Sequence, residues 1–297
     1  MIRLGIVDCD TSHVVQFTKR LHHLDIPEDQ WVDGARVVLA YRGTSRVTPE
    51  ETIDNYTAQL VAMGVELVAR LEEMLGRVDG VLIESQEGGV HLERARPFLE
   101  AGIPCYIDKP FACSTADAKA IAALAAQKGV PVFSASSLRY ALEIQALQQE
   151  DLGPVIGADA YSPASLHPCN PGLFHYGIHG VETLYALMGR GCQEVTCVFS
   201  EGAEVTTGRW QDGRIGTMRG TRAGSHSYGF VAWCEKGVRP VTIDASYIYR
   251  ELLKRIVQMF ETGQAPLEIA ETIEIVAFQE AALRSAQQGG VPVKLAL

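Results

Sequence analysis

The sequence predicts an α/β protein of two domains, the first built on a doubly wound parallel sheet and the second on a mostly antiparallel, open sheet. Short β-branched runs alternate with helical patterns up to about residue 136, which is typical of a parallel sheet with helices on both faces. Hairpin turn signals dominate residues 194–244. A chain of 297 residues is long enough for two hydrophobic cores. We therefore expect domains at residues 1–136 and 137–297.

The first domain is expected to alternate strands and helices throughout. Strands are expected at residues 2–7, 36–41, 65–68, 78–84, 104–107 and 130–134, the first being a compact apolar run suited to a buried parallel strand. Helices are expected at residues 12–24, 57–63, 71–75, 91–101 and 115–128. The last of these has Ser114 in the N-cap position and Gly129 after its final turn.

The second domain combines hairpins with a few helices. Helices are expected at residues 140–149, 173–188, 247–261 and 267–287. The second of these has Asn170 as cap and Pro171 at its first position, after an extended proline-rich stretch. Asp212-Gly213 lies between two strand-like runs and is a strong two-residue hairpin signal. A further turn at 235–237 completes the pattern of an antiparallel sheet.

Composition excludes several classes of partner. The net charge of −10, with no block rich in lysine and arginine, argues against nucleic acid or an anionic membrane as the main partner. Seven scattered cysteines form no C-x-x-C pair, which indicates reduced thiols in a cytoplasm. We expect no signal peptide and no apolar run long enough to span a bilayer.

The first strand leads into the turn Asp8-Cys9-Asp10-Thr11-Ser12-His13. A dinucleotide-binding turn has glycines here, so that backbone N–H groups and the helix N-terminus approach the pyrophosphate. Two carboxylates replace two of these glycines and would repel a pyrophosphate. Thr11 and Ser12 can still donate hydrogen bonds, and His13 can donate or carry charge. Two interpretations stay open: an altered cofactor turn, or a turn in which Asp10 or Ser12 only caps the helix.

The second strand is followed by Arg42, where an acidic residue would bind a ribose 2′-hydroxyl. Arg42, with Arg46 nearby, could instead accept the 2′-phosphate of NADP. The alternative is a solvated surface arginine.

A lysine follows the fifth strand, in the segment Ile107-Asp108-Lys109-Pro110. This is the carboxyl edge of the predicted sheet, where ligands bind in such folds. Lys109 could donate to a substrate hydroxyl, or shuttle its proton if burial lowers its pKa. A lysine in a strand-end loop is otherwise usually solvated, so its position favours a functional role.

The predicted helix at 173–188 carries His175, His179 and Glu182 at spacings of four and three, which predicts one shared helix face. A histidine there could act as general acid or base at a carbinol carbon. The same three residues could hold a divalent metal. The third interpretation is a polar cluster with a purely structural role.

Several segments together resemble the glucose–fructose oxidoreductase / inositol dehydrogenase (Gfo/Idh/MocA) family. The principal ones are Asp108-Lys109-Pro110 and Gly172…His175-Tyr176-Gly177-Ile178-His179, along with residues 80–84, His91 and residues 291–294. The resemblance covers nearly the whole chain. It implies a Rossmann-like dinucleotide-binding first domain and a second domain for substrate binding and oligomerisation.

The resemblance also implies roles for individual residues. Lys109 would contact the nicotinamide ribose and the substrate, and His179 would accept the proton of the substrate hydroxyl. The loop that begins at Ser85 would lie along the cofactor. The expected catalytic residues are therefore Lys109, His179 and His175. The expected cofactor-binding residues are Asp10, Thr11, Ser12, His13, Arg42, Ser85 and Lys109, and no metal is expected.

The chain departs from the family pattern at three places. Asp108 replaces a glutamate, His175 stands where an aspartate is common, and the glycine fingerprint is absent. The expected activity is hydride transfer between NAD or NADP and a secondary hydroxyl of a sugar, polyol or sugar acid, in a homodimer or homotetramer. Two alternatives are a non-redox carbohydrate-binding or regulatory protein that has lost its dinucleotide, and a metal-assisted isomerase or lyase.

Overall fold

The computed structural model describes residues 1–224 and 226–297, which divide into two compact units. The first unit comprises residues 1–112, 116–135 and 249–269, and the second comprises 113–115, 136–248 and 270–297. The chain thus changes unit near the expected boundary at 136, and a segment after residue 248 returns to the first unit. No helix in the described ranges is long and apolar enough to cross a membrane.

The sheet of the first unit consists of parallel strands. They are β1 (Ile2–Val7), β2 (Ala35–Tyr41), β3 (Glu66–Val68), β4 (Gly80–Ile83), β5 (Cys105–Ile107) and β6 (Val132–Phe133). Their order is β3-β2-β1-β4-β5-β6, and every pairing is parallel. The order reverses between β1 and β4, so the topological switch point lies at the carboxyl end of β1. The predicted doubly wound sheet is confirmed.

Helices connect these strands, and two of them differ from the prediction. The helices of the chain are α1 (His13–His22), α2 (Glu50–Ala62), α3 (His91–Glu100), α4 (Thr115–Lys128), α5 (Leu142–Leu147), α6 (Ile178–Met188), α7 (Ile248–Thr262) and α8 (Ile269–Gln287). Helix α2 begins at Glu50 rather than residue 57, because Glu50 and Glu51 place negative charge in its first turn after Pro49. The predicted helix at 71–75 is a single 3₁₀ turn at Leu71–Met74.

The sheet of the second unit is mixed but mostly antiparallel. Its strands are β7 (Val155–Pro163), β8 (Cys192–Ser200), β9 (Ala203–Trp210), β10 (Ile215–Thr221), β11 (Gly229–Cys234), β12 (Gly237–Thr242) and β13 (Val293–Lys294), in the order β12-β11-β7-β10-β9-β8-β13. Among the described strands of this second sheet, only the β7–β10 pairing is parallel. The predicted hairpin at Asp212-Gly213 joins β9 and β10, and the predicted open sheet is confirmed.

The region before α6 corrects a prediction about the histidines. The helix begins at Ile178, not at residue 173, and a separate 3₁₀ turn spans Gly172–Phe174. His175 therefore precedes the helix and does not share a helix face with His179 and Glu182. Pro171 sets the start of the 3₁₀ turn rather than that of the long helix.

Candidate functional site

The first turn begins with Asp8, whose carboxylate is buried inside the first unit. Asp8 has a positive φ of 63° and is 1% exposed. Its Oδ2 accepts hydrogen bonds from the Ser85 hydroxyl at 2.5 Å and from Nε of Arg94 at 2.9 Å. Burial raises the pKa of Asp8, and the Arg94 charge opposes that rise. A Cβ at Gly43, which has a φ of 66°, would collide with this carboxylate.

Asp10 is likewise turned inward. Its Oδ1 accepts a hydrogen bond from the backbone N–H of Gln86 at 3.0 Å, and its carbonyl accepts from the Gln86 amide and the Thr48 hydroxyl. Burial raises the pKa of Asp10 to about 6, so the group is mostly ionised at neutral pH. Both carboxylates at the glycine positions are therefore hydrogen-bonded within the protein.

The remaining residues of the turn start helix α1. Thr11 is buried, and its Oγ1 lies 3.4 Å from the backbone N of His13. Ser12 is exposed at the N-cap and makes no side-chain cap hydrogen bond. An exposed hydroxyl at the N-terminus of a ten-residue helix fits a phosphate oxygen. The glycine-type cradle itself is absent, so this turn fits a pyrophosphate at its helix end only.

The arginines after β2 are occupied by carboxylates. The Arg42 guanidinium contacts Asp54 at 2.7 Å and also pairs with Glu50, both on α2. Arg46 pairs with Glu87. A 2′-phosphate at Arg42 would have to compete with two carboxylates, although both of these are exposed to solvent.

Ser85 connects the loop after β4 to the first turn. Its hydroxyl donates to Asp8, and its carbonyl lies 2.8 Å from Nε2 of His91. The other ring nitrogen of His91 lies 3.2 Å from the carbonyl of Phe111. His91 thus fixes the loop after β4 against the loop after β5, which carries Lys109.

A buried polar cluster lies at the carboxyl ends of β1, β4 and β5. It consists of His13, Glu84, Asp108 and Lys109, and we call it the strand-end cluster. His13 Nδ1 lies 2.9 Å from Oδ2 of Asp108 and 3.7 Å from Oε2 of Glu84. Lys109 Nζ lies 3.8 Å from Oδ2 of Asp108, and the Lys109–Pro110 peptide bond is cis.

The charges of this cluster shift one another's pKa values. Burial alone would lower the pKa of His13, but the Asp108 carboxylate outweighs it and raises that pKa to about 9. Burial raises the pKa of Glu84 to about 7. His13 and Lys109 together overcome burial at Asp108 and hold its pKa well below the usual range. The chain thus places Lys109 beside a carboxylate that stays ionised.

The sequence did not predict that these four residues form one cluster. Glu84 and Asp108 are each the first residue after a strand, and their backbone N–H groups continue the parallel ladder to Val7 and Ile83. Adjacent parallel strands end at one edge, so the end residues of β4 and β5 could have been paired from the predicted strand order. The contact to His13 was harder to foresee, because it depends on how α1 begins.

In the second unit, His179 lies in the first turn of α6 and is buried. Its Nδ1 lies 2.7 Å from the hydroxyl of Ser136. Its ring contacts Tyr176 at 4.9 Å and Tyr228 at 5.9 Å, both edge to face. The Ser136 contact fixes the orientation of the His179 ring.

His175 and Glu182 have other surroundings. The His175 ring lies against His167 at 5.3 Å. Glu182 is buried and accepts a hydrogen bond from Nε of Arg139 at 2.5 Å, while Arg139 also pairs with Glu271 at 2.8 Å. Within the described ranges, His175, His179 and Glu182 are not gathered as ligands around one point. Of the three interpretations of this trio, the structure supports a structural role for Glu182.

The second unit contains a cavity of about 510 Å³. It is lined by Pro163, Ser165, Leu166, Tyr176, Thr221, Arg222, His226 and Tyr228. Its volume lies in the range of small-molecule sites. Tyr176 and Tyr228 are also the two rings that contact His179, so the cavity adjoins that histidine.

Comparison with known proteins relates one segment of the chain to a known family. Residues 45–136 match the Gfo/Idh/MocA family model, described as an oxidoreductase family with an NAD-binding Rossmann fold. The predicted family resemblance is confirmed for this segment. The description of the matched family also confirms the predictions of an oxidoreductase and of a nicotinamide cofactor. No curated protein matches the chain by sequence.

Solved structures of similar fold cover the whole chain. A scyllo-inositol dehydrogenase from Lactobacillus casei with bound NAD(H) and scyllo-inositol is 16% identical, with a TM-score of 0.77 and 100% of both chains covered. A putative myo-inositol dehydrogenase from Sinorhizobium meliloti is 14% identical, with a TM-score of 0.79 and the same coverage. The WlbA dehydrogenase from Bordetella pertussis, in complex with NADH and UDP-GlcNAcA, is 19% identical, with a TM-score of 0.75, covering 100% of this chain and 99% of that chain. These likenesses show a common fold.

Proposed function

We propose that this chain is an NAD(P)-dependent oxidoreductase that acts on a secondary hydroxyl of a sugar, polyol or sugar acid. The observation that carries the proposal is Lys109, a buried lysine at the carboxyl end of β5 within the segment that matches the family model. Its neighbour Asp108 keeps a negative charge 3.8 Å from the ammonium. The side-chain nitrogen of Lys109 can donate a hydrogen bond to a substrate oxygen.

The nicotinamide, when bound, supplies the acceptor or donor for the hydride of the carbinol carbon. The residues of the chain handle the hydroxyl proton. We assign its acceptance to His179, whose ring Ser136 orients, and the polarisation of the oxygen to Lys109. His175 would assist by binding a neighbouring hydroxyl of the substrate.

The dinucleotide would be held by the helix end of the first turn and the two loops beside it. Thr11 and Ser12 would bind phosphate oxygens at the N-terminus of α1, while Asp10, His13 and Ser85 shape the turn from within. Arg42 would reach the 2′-phosphate of NADP by exchanging its carboxylate partners. Residues 1–136 would thus form the dinucleotide-binding domain, and residues 137–297 the domain for substrate binding and oligomerisation.

The substrate class is supported by the cavity beside His179 and by the ligands of similar proteins. The cavity of about 510 Å³ has both aromatic and hydroxyl-bearing side chains, which suits a polyhydroxylated ring. Structures of the same fold hold scyllo-inositol and UDP-GlcNAcA.

The assembly is proposed to be a homodimer or homotetramer in the cytoplasm, with a small molecule rather than nucleic acid or a membrane as partner. On the second sheet, Ile215 and Trp233 lie on either side of Gly157 in the strand register and are both exposed. Exposed apolar side chains on two strands of one sheet favour contact with another subunit. Light scattering of the purified protein tests this part of the proposal.

The direct test of the function is turnover. The purified chain is mixed with NAD or NADP and a panel of inositols, aldoses, alditols and aldonic acids, and the appearance of reduced nicotinamide is followed by absorbance. At least one secondary alcohol should be oxidised, and the ketone product should be reduced in the reverse direction. No turnover with any of these classes, by a folded protein that binds the dinucleotide, would contradict the assigned substrate class.

A second candidate function is a non-redox carbohydrate-binding or regulatory protein of the same fold. Asp8 and Asp10 favour it, because both stand where glycines would admit a pyrophosphate. Such a protein should bind a sugar or polyol in calorimetry with an affinity that NADH and NADPH leave unchanged. An oxidoreductase should bind its alcohol more tightly when the dinucleotide is present.

A further inference from the structure

The strand-end cluster contains three groups that together offer metal ligands. The ligand atoms of His13, Glu84 and Asp108 all lie within 4.8 Å of one another, and all three residues are buried. They come from one helix start and two strand ends of the first unit. An imidazole nitrogen and two carboxylates form a donor set that divalent transition metals bind.

The protein alone leaves several polar atoms of the cluster without a hydrogen-bond partner, namely Nδ1 of His13, Oδ2 of Asp108 and both carboxylate oxygens of Glu84. The Glu84 side chain is 0% exposed, and neither carboxylate oxygen has a hydrogen-bond partner. The nearest donor, Nδ1 of His13, lies 3.7 Å from Oε2, which is too long for a hydrogen bond. Buried polar groups are nearly always hydrogen-bonded, and an unpaired buried carboxylate is costly. Glu84 therefore points to a partner that the chain does not supply.

The cations of the cluster do not fill this need. Lys109 approaches Asp108, at 3.8 Å. Nδ1 of His13 lies closer to Asp108, at 2.9 Å, than to Glu84, at 3.7 Å. A metal ion can bind several oxygens and a nitrogen at once, whereas a single imidazole N–H cannot serve Glu84 and Asp108 equally.

We propose that His13, Glu84 and Asp108 bind a divalent transition-metal ion of the Mn²⁺ to Zn²⁺ series. Ligands at about 2.1 Å from a metal lie about 3.0–3.4 Å from each other for octahedral and tetrahedral angles. The separations of 2.9 Å and 3.7 Å from His13 Nδ1 bracket that range. Small side-chain rotations would therefore complete the site. The mixed nitrogen and oxygen donors distinguish it from a magnesium or calcium site, which is built from oxygens.

Neighbouring residues hold two of the ligands in place. The hydroxyl of Tyr106 donates to Oδ1 of Asp108 at 3.2 Å, so Oδ2 is the oxygen that faces His13. The His13 ring is stacked on Phe17 at 5.2 Å and meets the edge of Tyr249 at 5.1 Å. Such supporting contacts orient ligands before a metal arrives. Because Lys109 also contacts Asp108, a bound metal would share that carboxylate with the lysine.

Mn²⁺ binding by the full chain tests the proposal without reference to any enzymatic activity. Chelator-treated protein is titrated with Mn²⁺, and free Mn²⁺ is followed by electron paramagnetic resonance. Wild type should bind one equivalent, and added Zn²⁺ should displace it, because imidazole-containing sites bind Zn²⁺ more tightly. Glu84→Gln and His13→Gln should each weaken binding at least tenfold. His23→Gln changes a histidine that pairs with Asp33 and stacks on Trp31, outside the cluster, and should bind like wild type.

Glu84→Gln also keeps the test interpretable, because a neutral amide of the same size is less costly to bury than an unpaired carboxylate. Circular dichroism should show that this variant is folded. Equal Mn²⁺ affinity in wild type and Glu84→Gln would overturn the proposal. So would the absence of binding to wild type by Mn²⁺ and by Zn²⁺, which would mean that Glu84 is kept neutral by a proton instead.

Discussion

Nδ1 of His13 lies 2.9 Å from Oδ2 of Asp108, which joins the residue that opens α1 to the residue that follows β5. Strand β4 lies between β1 and β5 in the sheet, and Glu84 at its end is the third member of the contact. His13, in the unusual first turn, therefore contacts the carboxylate of Asp108, which precedes Lys109 in the chain. This relationship links the departure from the glycine pattern to the residue that the proposed chemistry needs most.

Lys109→Met should abolish turnover while leaving the protein folded. The change removes the hydrogen-bond donor and its proton but keeps an apolar stem of similar length, so kcat should fall by at least about 100-fold. Steady-state kinetics on the best alcohol substrate measures the effect. Lys128→Met, at an exposed position at the end of α4, is the matched control and should keep full activity. Normal activity in Lys109→Met would remove this lysine from the mechanism.

Asp10→Asn should change how stability depends on pH. Burial raises the pKa of Asp10 from 3.8 to about 6, so the folded state holds its proton more tightly than the unfolded state does. The stabilisation of the folded state that results from this tighter proton binding is therefore fully present below pH 3.8. It is lost as the pH rises through 6. Relative to wild type, Asp10→Asn should gain up to about 3 kcal/mol of unfolding free energy between pH 4 and pH 7.

Urea unfolding at several pH values measures that difference. Asparagine keeps an oxygen for the N–H of Gln86, so the hydrogen bond itself is retained. A constant difference between the two proteins across this range would show that Asp10 does not titrate as described.

Arg139→Met should strongly destabilise the second unit. Arg139 is buried and pairs with Glu182 and Glu271, so its loss leaves two carboxylates without their cation. Removing one partner of a buried ion pair typically costs about 3–5 kcal/mol. Lys236→Met breaks the exposed pair with Asp151 and should cost less than about 1 kcal/mol. Similar losses for both variants in urea unfolding would contradict the structural role given to Arg139.

Gly43→Ala should disturb the first turn. Gly43 has a φ of 66°, and an added Cβ would collide with the carboxylate of Asp8. Gly76→Ala, with a φ of 76° and open space around it, should cost only the strain of that conformation, about 1–2 kcal/mol. The Gly43 variant should lose more than this in urea unfolding. Asp8→Gly should recover the excess in the double variant, and purely additive effects would show that the two residues do not interfere.

The parallel sheet and the hairpin at Asp212-Gly213 could be predicted because their signals are local. Alternating apolar runs mark strands, and an Asp-Gly pair marks a tight turn between two of them. Strand β7 was missed, although it lies in the interior of the second sheet. Its sequence, Val155–Pro163, contains Gly157 and alternating alanines, and its pairing with β10 and β11 depends on distant parts of the chain.

The candidate site was predicted less completely than the fold. The importance of Lys109 followed from its position after a strand. The contact between its neighbour Asp108 and His13 was not predicted, because it joins the ends of two strands that β4 separates. The one-face prediction for His175, His179 and Glu182 was wrong because Pro171 and Gly172 start a separate turn, which delays α6 to Ile178. Spacing alone does not reveal where a helix begins when a short 3₁₀ turn precedes it.

Titration of the purified protein with NADH and with NADPH, followed by fluorescence, tests the central claim most directly. Saturable binding of at least one of them, with a Kd below about 1 mM, is the predicted result. Ser12, exposed at the start of α1, should contribute, so Ser12→Ala should weaken that binding. A folded protein that binds neither dinucleotide would contradict the oxidoreductase and leave only the fold.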